Sequence, residues 1–290
     1  MYPTKERAHP CIMIRKDSEY MLFDCGESAQ RQIRIAGISP YKITKIFLTH
    51  FHGDHCLGLP GLIESLNGMK RNSAIEIFTP TGGEKKIKSF FYAIGTKPRF
   101  EVKITEIKDK KKKIVSNKEF EVYAMPVIHG NIPCLAYSIK EKDRRKINIE
   151  YTKKFGLVRD KILGKLQQGK TIEYKGEKIT AKQGTIVVPG RKITYITDTL
   201  FDRKLIKFAE NSDVLISEST YMEKDREKAK DRFHMTSIQA GELAKKSKSK
   251  KLYLTHFSQK YEDLKPMLAE AKSVFPETEL AEDFMKFSIN

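Results

Sequence analysis

Short apolar runs alternate along the chain with stretches whose apolar positions recur every three or four residues. Residues 10–15 and 19–23 read as strands around a turn at Asp17-Ser18, and 45–49 and 75–79 as two further strands. Between and after them, 28–36, 57–66 and 84–94 have helical spacing, the first stopping at Gly37. The centre is more β-like: 102–107, 120–127 and 134–139 are apolar or alternating. The lysine run 110–113 reads as a solvated hairpin tip. Residues 144–182 are polar, rich in Lys and Gln and weakly patterned, too long for an ordinary loop, so they read as a functional insertion with little core. The last third returns to alternation, with strands at 192–197, 214–217 and 251–255 and helices at 203–209, 235–246 and 263–274. Strand–helix units on both sides of a β-rich centre predict an α/β fold of sheets packed face to face with helices outside.

Composition narrows the class. With 290 residues and 39% apolar positions the chain can bury a sizeable core. No repeat or Pro- or Ser-rich linker divides it. No run approaches the ~18 apolar residues of a membrane span, and the first residues lack a signal-peptide pattern, so no membrane association and a cytoplasmic location are expected. Cys11, Cys25, Cys56 and Cys134 show no metal-type spacing and read as free thiols. Against 37 acidic residues stand 55 Lys and Arg, a net charge of +18. That balance fits a polyanionic partner better than a cationic or neutral small substrate.

The histidines carry the chemistry. His50, His52 and His55 share the stretch His50-Phe51-His52-Gly53-Asp54-His55. Imidazole and carboxylate donors so concentrated favour a divalent metal over a hydrogen-bonded polar turn. His50 and His52 can face one ion, and Asp54 and His55, past Gly53, a second. His129 and His256 each follow an apolar strand, as does Asp198, whose two oxygens can bridge two ions. Cys56 is a poor candidate ligand, and His9 reads as a solvated or capping residue.

Leu48-Thr49-His50-Phe51-His52-Gly53-Asp54-His55, with His129, Asp198 and His256 in that order, resembles the signature of the metallo-β-lactamase superfamily. Within it, six segments are similar to the ribonuclease Z family of tRNA 3′-processing endonucleases. They are Pro3-Thr4-Lys5-Glu6-Arg7, Leu22-Phe23-Asp24-Cys25-Gly26-Glu27, Gly58-Leu59-Pro60-Gly61-Leu62, Glu218-Ser219-Thr220-Tyr221, Phe233-His234-Met235-Thr236 and Leu254-Thr255-His256-Phe257-Ser258. The resemblance implies one four-layer αββα domain over 1–290 with a basic arm at about 144–182. It implies two zinc ions, one on His50, His52 and His129, the other on Asp54, His55 and His256, with Asp198 between them. Asp54 would also accept a proton from the attacking water. His234 would assist the leaving 3′-oxygen, and Glu218 would orient His234. Precursor tRNA would be the substrate and a homodimer the assembly.

Two departures from the family pattern stand out. Family members begin with an apolar strand ending in Phe-Leu-Gly-Thr, whereas this sequence opens at Met1-Tyr2-Pro3. A bare sheet edge and a start placed at an internal methionine are the corresponding expectations. The arm also lacks the Gly-Pro pair that many members carry at its tip. Candidate RNA contacts are Lys5 and Arg7 in the first loop and Arg144, Arg145, Lys153, Lys154, Arg159, Lys161 and Lys165 in the arm. Two competing readings keep the fold: a small-molecule hydrolase of lactonase or thioesterase type, and an RNA-binding scaffold without chemistry. The second predicts broken ligands, and none is broken.

Overall fold

The computed structural model describes residues 2–108 and 110–289. Two sheets form its centre. The first is built from β1 (Ile12–Lys16), β2 (Glu19–Phe23), β3 (Ile43–Phe47), β4 (Ile75–Pro80) and β5 (Val102–Ile107), in that order. β1 and β2 form an antiparallel hairpin, and the remaining neighbours run parallel. Parallel pairs need crossovers, and α1 (Ala29–Ile35), α2 (Gly53–Cys56), α3 (Gly58–Gly68) and α4 (Gly83–Ala93) lie in them. The helix expected at 57–66 is α3, and Asp54 and His55 sit before it on a short turn of their own, α2.

The second sheet takes β6 (Lys112–Ser116), β7 (Phe120–His129) and β8 (Ile132–Glu141) as an antiparallel meander. After the insertion come β13 (Lys192–Ile196), α8 (Arg203–Ala209), β14 (Val214–Glu218), α9 (Arg226–Asp231), α10 (Ser237–Lys246), β15 (Leu252–Thr255), α11 (Lys265–Val274) and β16 (Thr278–Leu280). The sheet order is β16-β15-β14-β13-β8-β7-β6. β13 to β16 are parallel, and β13 meets β8 antiparallel.

Period-two alternation sorts side chains into layers. Leu22 and Ile46 point outward against Ile33, Leu62 and Ile87 of α1, α3 and α4. Their neighbours Met21, Phe23 and Phe47 point inward against Leu135, Tyr137 and Tyr195 of the second sheet. Phe23, Phe47 and Phe78 stack in sequence, with centroids 4.7 and 4.9 Å apart. On the far side Leu215, Leu252 and Leu254 pack against Phe208, Leu243 and Met267 of α8, α10 and α11. The result is the expected αββα layering. Among the described residues, no helix is long and apolar enough to cross a membrane.

Two expectations fail locally. The lysine run 110–113 is not a hairpin tip: it follows the crossover from the first sheet to the second, and Lys112 and Lys113 open β6. The reversal comes later, where the Asn117 side chain accepts from the backbone N–H groups of Glu119 and Phe120 and sets the turn. The insertion is also not structureless. It holds β9 (Arg144–Ile147), α5 (Ile149–Thr152), α6 (Leu163–Gln167), β10 (Ile172–Tyr174), β11 (Glu177–Ile179), α7 (Ala181–Gly184) and β12 (Thr185–Val188). β9 pairs with β12 as a neck, and Leu157, Leu163, Leu166, Ile172 and Ile179 bury a small core of their own. Those apolar residues are too widely spaced to show in a short window. At the root, Arg191 holds Glu141 with Nε–Oε2 2.7 Å and Nη2–Oε1 2.6 Å.

Candidate metal centre

The site lies where chains leave the carboxyl ends of strands, the place where open parallel sheets present ligands. β3 leads into His50, β7 ends at His129, β13 leads into Asp198, β14 ends at Glu218 and β15 leads into His256. Tyr137 donates to the Leu48 carbonyl at 2.7 Å and ties the two sheets together beside it. Gly58 lets α3 approach closely, since a Cβ there would lie 2.1 Å from the Gly26 carbonyl oxygen.

Two donor groups form around Asp198, and His234 makes a third with Asp198 and His256. His50, His52, His129 and Asp198 offer donor atoms all within 4.8 Å of one another, and so do Asp54, His55 and His256. His52 Nδ1 lies 3.0 Å from His50 Nε2 and 3.3 Å from His129 Nε2, and His55 Nε2 lies 3.3 Å from His256 Nε2. Asp198 stands between the groups. Its Oδ2 is 3.6 Å from His50 Nε2 and 3.8 Å from His129 Nε2, while its Oδ1 is 3.2 Å from His256 Nε2 and 3.5 Å from His55 Nε2. A tetrahedral ion with bonds of about 2.0–2.1 Å sets neighbouring donors about 3.3 Å apart. The donor set and its spacing therefore fit metal binding.

The rings are held from behind. Thr49 donates its hydroxyl to Asp24 at 2.9 Å and can accept from His50 Nδ1 at 3.1 Å. Asp24 also accepts from His55 Nδ1 at 2.8 Å, from the Thr49 N–H at 2.7 Å and from the Tyr195 hydroxyl at 3.0 Å. Thr220 donates to Glu218 Oε2 at 2.5 Å and accepts from His256 Nδ1 at 2.9 Å. His129 Nδ1 donates to the Phe233 carbonyl at 3.1 Å. Each of these contacts commits Nδ1 and leaves Nε2 facing the cluster, whereas His52 turns Nδ1 inward. Asp24 and His256 have φ of 56° and 59°, left-handed values that persist at non-glycine residues when surroundings impose them.

Charge follows the same geometry. Burial, reinforced by His55, pushes His50 well below the usual histidine range, as a neutral ligand requires. Burial opposes charge on His55, yet the Asp198 and Asp24 carboxylates outweigh it and hold its pKa up. Burial likewise opposes charge on Asp54, but hydrogen bonds from His256 and His55 hold its carboxyl well below the ordinary range.

His234 stands beside both groups, its ring stacked on His256 at 5.5 Å and 5.1 Å from His129. Glu218, fully buried, accepts from His234 Nδ1 at 3.1 Å and from the Thr199 N–H at 2.7 Å. Burial lowers the His234 pKa, but the Glu218 carboxylate more than reverses this and raises it to about 9.

Comparison with known proteins agrees with this construction. Residues 4–135 match the metallo-β-lactamase superfamily model and 167–257 the β-lactamase superfamily domain. A ribonuclease Z of Nanoarchaeum equitans is 38% identical over 260 residues, covering 90% of this chain and 81% of the relative. One of Pyrococcus horikoshii is 38% identical over 290 residues, covering 99% and 92%. The chain belongs to the ribonuclease Z family. The human short-form tRNase Z structure superimposes with a TM-score of 0.71 at 26% identity, covering 100% of this chain and 96% of that one.

Within the chain, all nine residues named from the sequence for metal binding and catalysis, His50, His52, Asp54, His55, His129, Asp198, Glu218, His234 and His256, meet in one place. The named RNA contacts do not. Arg144, Lys153, Lys154, Arg159, Lys161 and Lys165 are exposed on the arm, Lys5 is exposed in the first loop, and half-buried Arg7 reaches the Tyr261 carbonyl at 3.4 Å. Arg145 is half-buried and donates to Thr185 at 3.2 Å, which commits part of its guanidinium inward. His9 is buried rather than solvated, because the Gly26 N–H bonds to the Pro10 carbonyl and draws that loop onto the site. Cys56 donates its thiol to the His52 carbonyl at 3.1 Å, and burial pushes its pKa up to about 12. Asp24 and Thr220 went unassigned by sequence reasoning. Asp24 gave the same signal as Asp198, an acid closing an apolar strand.

Proposed function

We propose that this chain is a zinc-dependent endoribonuclease that removes the 3′ trailer from precursor tRNA. Two zinc ions would be held by His50, His52 and His129 and by Asp54, His55 and His256, with Asp198 shared. The carrying observation is the split of Asp198, one oxygen toward each donor group, with His234 at the shared edge. When bound, the metals supply Lewis acidity and make water acidic enough to deprotonate near neutral pH. Asp54 stays ionised and takes the proton of the attacking water. His234, protonated against Glu218, gives a proton or a hydrogen bond to the leaving ribose 3′-oxygen. Glu218 keeps the His234 ring in place and balances its charge.

Attack by water with loss of the 3′-oxygen leaves a 3′-hydroxyl on the tRNA and a 5′-phosphate on the trailer. Exposed basic residues of the arm and of the first loop would hold the RNA backbone away from the chemistry. The same reading includes a homodimer working in the cytoplasm, with sedimentation of the purified protein as the check on assembly. Zinc-loaded protein incubated with a 3′-extended tRNA should cut at one bond and give those ends. A 2′,3′-cyclic phosphate would make the neighbouring ribose hydroxyl the nucleophile and remove the mechanism.

A further inference from the structure

α9 ends in a Schellman turn: the His234 N–H bonds to the Ala229 carbonyl at 2.8 Å and the Phe233 N–H to the Lys230 carbonyl at 3.1 Å. Phe233 occupies the left-handed position of that turn, with φ 59°. Glycine fits this position without penalty, and a side chain there strains the backbone. The phenylalanine belongs to no core cluster and remains 38% exposed, so packing offsets that cost only in part. Its ring lies across Gly130, where an added Cβ would sit 3.2 Å from the ring Cδ2 and Cε2 atoms. Gly130 follows the candidate ligand His129, and His234 follows Phe233. The ring is thus an exposed aromatic face at the mouth of the metal centre. Exposed Lys228, Lys230 and Arg232 precede it along α9 and its end, interleaved with exposed Glu227 and Asp231.

We propose that Phe233 is a base-stacking residue, taking the nucleobase of the nucleotide that carries the leaving 3′-oxygen. This rests on the reading of the centre as one that cuts precursor tRNA. His234 is assigned to that oxygen, so the adjacent ring lies on the side of the last nucleotide of the mature tRNA. Every base has a π-face, so a stacking platform accepts all four and loses only when the base is absent. The exposed basic residues of α9 would serve the flanking phosphates without reading sequence.

The test compares wild type and Phe233→Gly on two precursor tRNAs, one intact and one abasic at that nucleotide. The glycine relieves the strained turn, so the variant should melt within a few degrees of wild type. On the intact substrate its kcat/KM should fall roughly tenfold or more, the range of one base–aromatic stack. On the abasic substrate the two proteins should be equal, and Phe233→Trp should keep the wild-type preference for the intact one. A tRNA that ends at this nucleotide, carrying 2-aminopurine there, is not cut. Its fluorescence should be quenched by wild type and much less by Phe233→Gly. Equal loss by the variant on both substrates, or quenching that ignores the ring, would overturn the proposal while leaving trailer cleavage intact. Failure of wild type to cut either substrate would instead remove the functional reading, and the proposal with it.

Discussion

Asp24 offers no donor atom to the cluster, yet its carboxylate accepts from Thr49, His55 and Tyr195 and so connects both sheets to the metal site. An asparagine there would present an amide hydrogen to His55 Nδ1 or lose one of these bonds. Asp24→Asn should therefore fold yet bind zinc about 10–100-fold more weakly, as read by competition with a fluorescent chelator; unchanged affinity would show that His55 needs no support. His234 yields a pH prediction. Its folded pKa, about 9, lies above the ordinary 6.5, so the proton it donates is present below about 9 and lost above it. By linkage the Glu218 pair stabilises the fold fully below pH 6.5, and this contribution fades as pH rises through about 9. Cations bound at the site would lower the folded value and leave the unfolded one unchanged. Removing the carboxylate removes what holds the pKa up, so Glu218→Gln should shift the alkaline limb of kcat to lower pH, and an unmoved limb would mean that another group is the donor.

At the scale of elements, the arm is separable. β8 and β13 are antiparallel neighbours, with Lys140 opposite Lys192, so a short Gly-Ser turn can join them once the insertion is removed. The lost apolar residues belong to the arm's own cluster. Excision should raise KM for precursor tRNA about tenfold or more, as one lost phosphate clamp after another weakens binding, and should hardly alter turnover of a small phosphodiester. Equal loss on both substrates would make the arm a support for the metal site. The root supplies its own check. Hydrogen bonds from Arg191, opposed by burial, hold the Glu141 pKa at about 2 against an ordinary 4.5. That contribution is complete above pH 4.5 and is lost as pH falls through about 2. The pair is partly exposed, so it contributes only about 1 kcal/mol. Glu141→Gln should still shorten the arm's half-life under limited trypsin digestion at neutral pH. The layers were legible because strand alternation and helical spacing each persist over whole elements. The arm's core was not, because five apolar residues scattered among lysines make no periodic signal. The lysine run was misplaced because its turn is set by Asn117, a side-chain acceptor that charge patterning hides. Phe233 was legible only as part of the Phe233-His234-Met235-Thr236 segment, since its left-handed backbone at the end of α9 is not written in residue type.

For the whole molecule, the net charge of +18 sits mostly in the arm and in the lysine-rich stretch 84–118, while the buried centre holds carboxylates and imidazoles with donor atoms close to one another. These two distributions divide the labour: long-range attraction gathers RNA, and the centre acts on a single phosphate. Affinity for precursor tRNA should fall with salt by about 0.7–0.9 log units for each phosphate neutralised, and arm excision should flatten that slope. The centre itself is tested most directly by adding zinc in steps to metal-free protein while recording bound metal and precursor tRNA cleavage on the same samples. Cleavage should rise to a plateau at two zinc ions per chain and vanish in Asp54→Ala, which should still bind the RNA. Full cleavage with one ion per chain, or cleavage independent of metal, would contradict the account.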